Sequence, residues 1–182
     1  MATRVGQATV KSPRQLVISA YATMADITKV VTPDLKAPGE SVLLHVDLAQ
    51  GKRRLGGSAL AQVFGQLGSE SPDMDDPALV RRAFEAVQDL VERDLVLAGH
   101  DVSDGGLVTT LLEMAFSGNC GIDVEIGGGE ETRPEAIASL FAEELNLVLE
   151  CRAADAAVIC KTMTRADVPC CLIGRTCKEK TV

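Results

Sequence analysis

Short apolar runs alternate along this chain with longer stretches in which apolar residues return every three or four positions. Leu16–Tyr21 (LVISAY) is brief, apolar and partly β-branched, which predicts a buried strand. Asp26 is placed to cap a short helix through Val31 that Thr32-Pro33 would end. After the turn-forming Ala37-Pro38-Gly39, Val42–Leu48 predicts a second strand. A polar loop, Gly51-Lys52-Arg53-Arg54, then leads through Gly56-Gly57 to Ser58, a cap for a helix carrying Leu60, Val63, Phe64 and Leu67.

The clearest helix opens at Asp76-Pro77, where aspartate suits the cap and proline the first turn, since its missing N–H has no partner there anyway. Leu79, Val80, Ala83, Phe84, Val87, Leu90 and Val91 predict its apolar face; Arg81, Arg82, Asp89 and Glu92 lie opposite. Leu95–Ala98 reads as a strand that delivers Gly99 through Gly106, followed by a helix from Leu107 to about Phe116 with Leu107, Leu111 and Met114 inward. Gly121–Ile126 alternates as a strand, Gly127–Thr132 is a loop, and Pro134 begins a helix. Leu145–Cys151 predicts a strand, Arg152–Arg165 a helix and Cys170–Arg175 a last strand. Strands alternating with helices imply a layered fold with helices covering a central sheet. Neither a fixed-period repeat nor a low-complexity linker divides it. The expected organisation is one domain over 14–177, with flexible segments at 1–13 and 178–182 where a longer chain would enter and leave.

Composition narrows the function. The 182 residues are 46% hydrophobic and 24% charged, enough to build a core and to exclude wholesale disorder. No apolar run approaches the ~18 residues of a membrane span, and the first fifteen residues lack the apolar stretch of a signal peptide. The net charge of −8 disfavours a nucleic-acid partner. With no Trp, one Tyr and four Phe, aromatic stacking platforms are also poorly supplied. Acidity does not forbid nucleotide binding, because a helix terminus or a metal ion holds phosphate locally. Cys120, Cys151, Cys160, Cys170, Cys171 and Cys177 show no C-x-x-C pair, so zinc-ligand spacing is absent. They are expected to pack as small apolar groups in a reduced, cytoplasmic protein.

The sharpest candidate site is His100-Asp101-Val102-Ser103-Asp104-Gly105-Gly106. It sets two carboxylates and a hydroxyl at the end of a strand, just before a helix N-terminus. Such a turn can hold an anion, or Mg²⁺ through one or two carboxylates. It can equally be a helix cap, at Ser103 or Asp104, followed by a glycine turn. Arg54-Leu55-Gly56-Gly57-Ser58 is either a phosphate cradle charged by Lys52, Arg53 or Arg54, or a capped helix after a surface turn. His45 lies within an apolar strand, as a core or edge histidine or as a base. Glu143-Glu144 reads as a solvated helix end. No Ser–His–acid triad can be assembled.

Leu97–Ile126 (LAGHDVSDGGLVTTLLEMAFSGNCGIDVEI) resembles the second synthetase half of the phosphoribosylformylglycinamidine synthase family. Arg54–Gly68, Asp75–Val91 and Leu140–Glu150 resemble the same family, so the likeness runs from about Leu16 to Gly174. It implies an α+β fold of the aminoimidazole ribonucleotide synthetase C-terminal-domain type, a layered mixed sheet covered by helices. It also implies a parent ligase that uses ATP and glutamine to convert formylglycinamide ribonucleotide to its amidine in purine synthesis. The half matched is the one with a structural ADP–magnesium site, to which Asp101 would give a magnesium ligand and Ser103 a nucleotide contact. The remaining ligands would come from preceding synthetase-like domains, and the glutaminase chemistry from a following domain, so no catalytic residue is expected here and the isolated fragment should be inactive. Near Leu145-Asn146 the sequence departs from the common family pattern, which implies a local difference in the turn. The alternatives are a scaffold module, or a related ATP-using synthetase or kinase.

Overall fold

The computed structural model describes residues 2–11, 17–127 and 131–181. Its centre is a five-stranded sheet of β3 (Ser41–Asp47), β4 (Ala98–Asp101), β5 (Gly121–Val124), β6 (Asn146–Arg152) and β7 (Cys170–Cys177), in the spatial order β4-β6-β3-β7-β5. Every ladder is antiparallel, whereas a mixed sheet was expected. β1 (Ala2–Val5) and β2 (Ala8–Lys11) form a separate hairpin with exposed side chains at residues 3–10.

Period-two alternation sends the two faces of β3 into two cores. Leu44 and Val46, with Leu149 and Cys151 of β6, pack on α2 (Pro77–Glu92) and α5 (Ala156–Arg165) through Leu79, Ala83, Leu90, Ile159 and Met163. Leu43, Val148 and Ile173 face α3 (Gly106–Gly118) through Leu107, Leu111 and Met114. α4 (Arg133–Phe141) lies beside α3. The sheet is thus sandwiched between helices, as the α+β expectation required. One buried acid, Glu150, organises the entry to β3. It accepts hydrogen bonds from the Lys36 and Ala37 backbone N–H groups (2.8 and 3.0 Å) and from Ser41 Oγ (2.5 Å).

Several expectations need correction. The strand at Leu16–Tyr21 is not formed: Leu16 lies outside the described residues, and 17–21 have no regular structure, with Val17, Ile18 and Tyr21 exposed. Asp26 does not cap a helix; its carboxylate closes a turn by accepting from the Thr28 N–H and Oγ at 2.9 and 2.6 Å. The strand placed at Leu95–Ala98 begins at Ala98, because the Leu95 N–H still caps α2 at Leu90 O. Arg152 ends β6, and α5 starts only at Ala156. α1 (Ala59–Val63) is a single short turn of helix capped by Ser58, which leaves Val63, Phe64 and Leu67 exposed. Phe84 also points to solvent, narrowing the apolar stripe of α2. Most of the Gly127–Thr132 loop lies outside the described residues. At the far end, Ile122 N–H donates to Thr181 O at 2.9 Å, tying the last described residues to β5.

Candidate functional site

β4 is an edge strand paired only with β6, in the register Asp101↔Leu147. Its end is pinned by Val102, whose side chain is buried and whose N–H donates to Asn146 O at 2.9 Å. With Val102 held inward, Asp101 and Ser103 on either side are left exposed, Asp101 with 69% of its side chain accessible. Thr110 Oγ1 donates to Asp101 O at 3.2 Å, tying the turn to α3. Asp101 Oδ1 lies 3.2 Å from His100 Nδ1, and His100 Nε2 lies 3.2 Å from Glu113 Oε2. The hydrogen bond of the ring is between His100 Nδ1 and the Asp101 backbone carbonyl at 2.8 Å.

Neither Ser103 nor Asp104 caps α3. The cap position is Gly105 in the left-handed region (φ 89°), followed by Gly106 (φ 75°), where a Cβ would meet Leu140 O and Phe141 at 2.7 Å. Glycine is required here both by conformation and by close approach of the α4 backbone. The cap comes instead from a distant acid: Glu143 Oε1 accepts from the Gly105 N–H and from the Ala59 N–H, each at 2.8 Å. The two glycine turns singled out in the sequence thus meet on one carboxylate oxygen.

Glu144 is not solvated either. It is 1% exposed and grips Arg54 as a fork: Nε to Oε1 at 2.8 Å and Nη2 to Oε2 at 2.7 Å, with the Arg54 backbone N–H also donating to Oε1 at 2.8 Å. These hydrogen bonds raise the guanidinium pKa above its usual value. Arg54 also reaches Asp75 at 2.9 Å, Lys52 pairs with Asp75 at 3.0 Å, and Arg53 pairs with Glu131. The Lys52 hydrogen bond is the main cause holding the Asp75 carboxyl below its usual range. All three basic residues offered for a phosphate cradle are therefore engaged by this chain's own acids.

His45 sits half-buried on the central strand β3 beside a cavity it lines with Asp47 and Cys171; burial lowers its pKa, and its Nε2 has no hydrogen-bond partner among the described residues. The six cysteines are free thiols, with Cys120 and Cys151 buried and Cys171 exposed. Desolvation pushes Cys151 and Cys170 up to about 12, the behaviour of packing groups rather than nucleophiles. Sequence reasoning missed the paired roles of Glu143 and Glu144. Their adjacency to an apolar strand was the available signal. Asn146 is buried and accepts at Oδ1 from Leu48 N–H (2.9 Å), securing the turn after β3.

Among the described residues no three His, Cys, Asp or Glu side chains converge as a metal shell, and no helix is long and apolar enough to cross a membrane. Asp101 and Ser103 nonetheless offer hard oxygen donors on an open edge, the donor set that suits a magnesium–phosphate group whose other ligands come from water, phosphate or another protein surface.

The chain resembles known proteins over almost its whole length. The chain is 52% identical over 175 residues, 96% of its length, to "Probable phosphoribosylformylglycinamidine synthase, chloroplastic/mitochondrial" of Arabidopsis thaliana. It is also 52% identical over 177 residues, 97% of its length, to "Phosphoribosylformylglycinamidine synthase" of Homo sapiens. It spans only 12% and 13% of those two proteins. Among solved structures, T. maritima PurL complexed with FGAR superposes with a TM-score of 0.65 at 18% identity, covering 84% of this chain and 26% of that one. The E. coli hydrogenase maturation protein HypE gives 0.55 at 20% identity, covering 82% and 47%. Both similarities speak for a shared fold. Residues 37–182, the sheet and all the helices described above, match the family described as AIR synthase related protein, C-terminal domain, and to that family the chain belongs.

Proposed function

We propose that this chain is the C-terminal domain of the second synthetase half of a phosphoribosylformylglycinamidine synthase. That enzyme is a C–N ligase of purine biosynthesis, which takes nitrogen from glutamine and energy from ATP. The observation that carries the reading is 52% identity, across nearly the whole chain, to two proteins of that name from a plant and an animal.

In this reading Asp101 supplies one ligand to magnesium and Ser103 contacts the nucleotide, at a structural ADP site whose other wall belongs to preceding synthetase-like domains. Magnesium supplies neutralisation of phosphate charge there. The geometry supports the assignment in two ways. The strand end presents its carboxylate outward, and Lys52, Arg53 and Arg54 are paired with this chain's own acids, which favours a cation on Asp101 as the charge partner of a phosphate. His100 holds the backbone of the strand end through the Asp101 carbonyl. The glutaminase chemistry belongs to a following domain, and the assembled enzyme works in the cytoplasm. The Arabidopsis relative's name, by contrast, assigns that protein to chloroplast and mitochondrion.

The test is the Asp101→Ala variant of the full-length ligase, scored by the ADP released on denaturation. Loss of most co-purifying ADP, with the fold retained, is expected; undiminished ADP would refute the metal role. Titration of the 182-residue chain with Mg-ADP should show weak or no binding, and tight binding would contradict a shared site.

A further inference from the structure

Between the sheet and the α3–α4 side lies a cavity of about 570 Å³ that neither Asp101 nor Ser103 lines, a size common among small-molecule sites. Strand register sets its floor. His45 of β3 pairs with Cys171 of β7 and with Val148 of β6, and Asp47 pairs with Asn146. Period-two alternation turns His45 and Asp47 away from the core of Leu44 and Val46 and toward the helices on the other face. Leu107 of α3 and Ala142 at the end of α4 line the cavity from the helix side, and Ile126 and Ile173 add apolar wall.

The charged groups around it are already matched. Lys52 pairs with Asp75, Arg53 with Glu131 and Glu144 with Arg54, while Asp47 accepts from the Ala49 and Gly51 N–H groups at 3.1 and 2.7 Å. These pairings leave the cavity suited to an uncharged occupant.

Two polar atoms stand apart from that network. His45 Nε2 is buried and has no hydrogen-bond partner among the described residues. Burial favours the neutral imidazole, which carries one donor and one acceptor nitrogen. Asn146 Oδ1 accepts from the Leu48 and Ala49 N–H groups at 2.9 and 3.3 Å, which fixes the amide's orientation, and its Nδ2 donates to none of the described residues. A buried polar atom without a partner carries a desolvation cost, and native folds keep few of them. His45 and Asn146 are diagonal neighbours on adjacent strands and line the same cavity, so one molecule can meet both.

We infer that this cavity binds a small, uncharged heteroaromatic carboxamide or lactam, whose carbonyl accepts from Asn146 Nδ2, whose amide N–H donates to His45 Nε2, and whose ring packs between Leu107 and Ile173. The magnesium–nucleotide reading of Asp101 plays no part in this inference.

Nicotinamide is the probe, and nicotinate its charged counterpart lacking the amide N–H. In saturation-transfer NMR on the 182-residue chain, nicotinamide is expected to bind saturably and nicotinate roughly 10-fold or more weakly. Cys171 is an exposed thiol at the cavity and reports the location without any variant. Its alkylation by iodoacetamide, followed by peptide mass spectrometry, should slow by roughly 10-fold at ten times the dissociation constant of nicotinamide. His45→Leu removes the acceptor, and Asn146→Asp replaces the donor while keeping an oxygen for Leu48 and Ala49. Each should weaken binding by roughly 10-fold. Cys171→Phe fills the space and removes no hydrogen bond, and it should weaken binding as much. Thermal melts confirm that each variant is folded. No saturable binding of nicotinamide to the wild-type chain would overturn the inference, as would equal binding of nicotinate. Saturable binding that leaves Cys171 alkylation unchanged, or that persists undiminished in folded His45→Leu and Cys171→Phe variants, would place the probe elsewhere and overturn it too.

Discussion

Two groups of acids in this fold meet opposite fates. Glu143, Glu144 and Glu150 are turned inward and bonded to backbone N–H groups, a serine hydroxyl or Arg54. Asp101 and Asp104 face solvent at the end of β4. A buried carboxylate must be fully partnered or it destabilises the fold, whereas an exposed one costs little to keep and remains available to a ligand. The difference separates acids that build the scaffold from those that can serve a site, and it is invisible in the residue types.

The sharpest way to break the comparison is to remove a buried member. Glu144→Ala strips Arg54 of its fork and is expected to cost about 3–5 kcal/mol in urea unfolding, with part recovered by adding Arg54→Met. A loss under about 1 kcal/mol would show the pair to be dispensable. Glu150→Leu, which orphans the Lys36 and Ala37 N–H groups, should cost about 3 kcal/mol by the same assay. Gly106→Ala forces a Cβ against the α4 backbone at positive φ, and a loss of about 2 kcal/mol is expected.

His45 adds a pH arm. Its folded-state pKa is depressed by burial, so the neutral form is favoured. Its contribution is therefore present above the ordinary histidine pKa and lost as pH falls below it. Thermal melts should show the wild-type protein weakening from about pH 7 to pH 5, with His45→Leu flattening that slope. An unchanged slope would place the acid sensitivity elsewhere. The smallest stability effect belongs to the exposed group: Asp101→Ala should shift unfolding by under about 0.5 kcal/mol in the 182-residue chain. A large shift would mean that its link to His100 is structural.

The architecture was legible where local signals and tertiary packing agree. Asp76-Pro77 opened α2 as capping chemistry requires, and Leu107, Leu111 and Met114 faced the core as their spacing indicates. Strand edges slipped where a bond from outside decided them, as at Leu95, whose N–H is held by α2. LVISAY misled for an instructive reason: its pattern encodes burial, yet Val17, Ile18 and Tyr21 are covered by nothing among the described residues. Glu143 could not be read as a cap at all, since the N–H groups it serves lie 38 and 84 positions away in sequence. The exposed placement of Asp101 was foreseeable from a strand ending beside a buried valine.

The single oxygen of Glu143 that clasps both Gly105 and Ala59 has a mechanical consequence. The two glycine junctions are riveted together, so neither loop can swing without dragging the other. Removing the Glu143 carboxylate would free the N-terminal ends of α1 and α3 together.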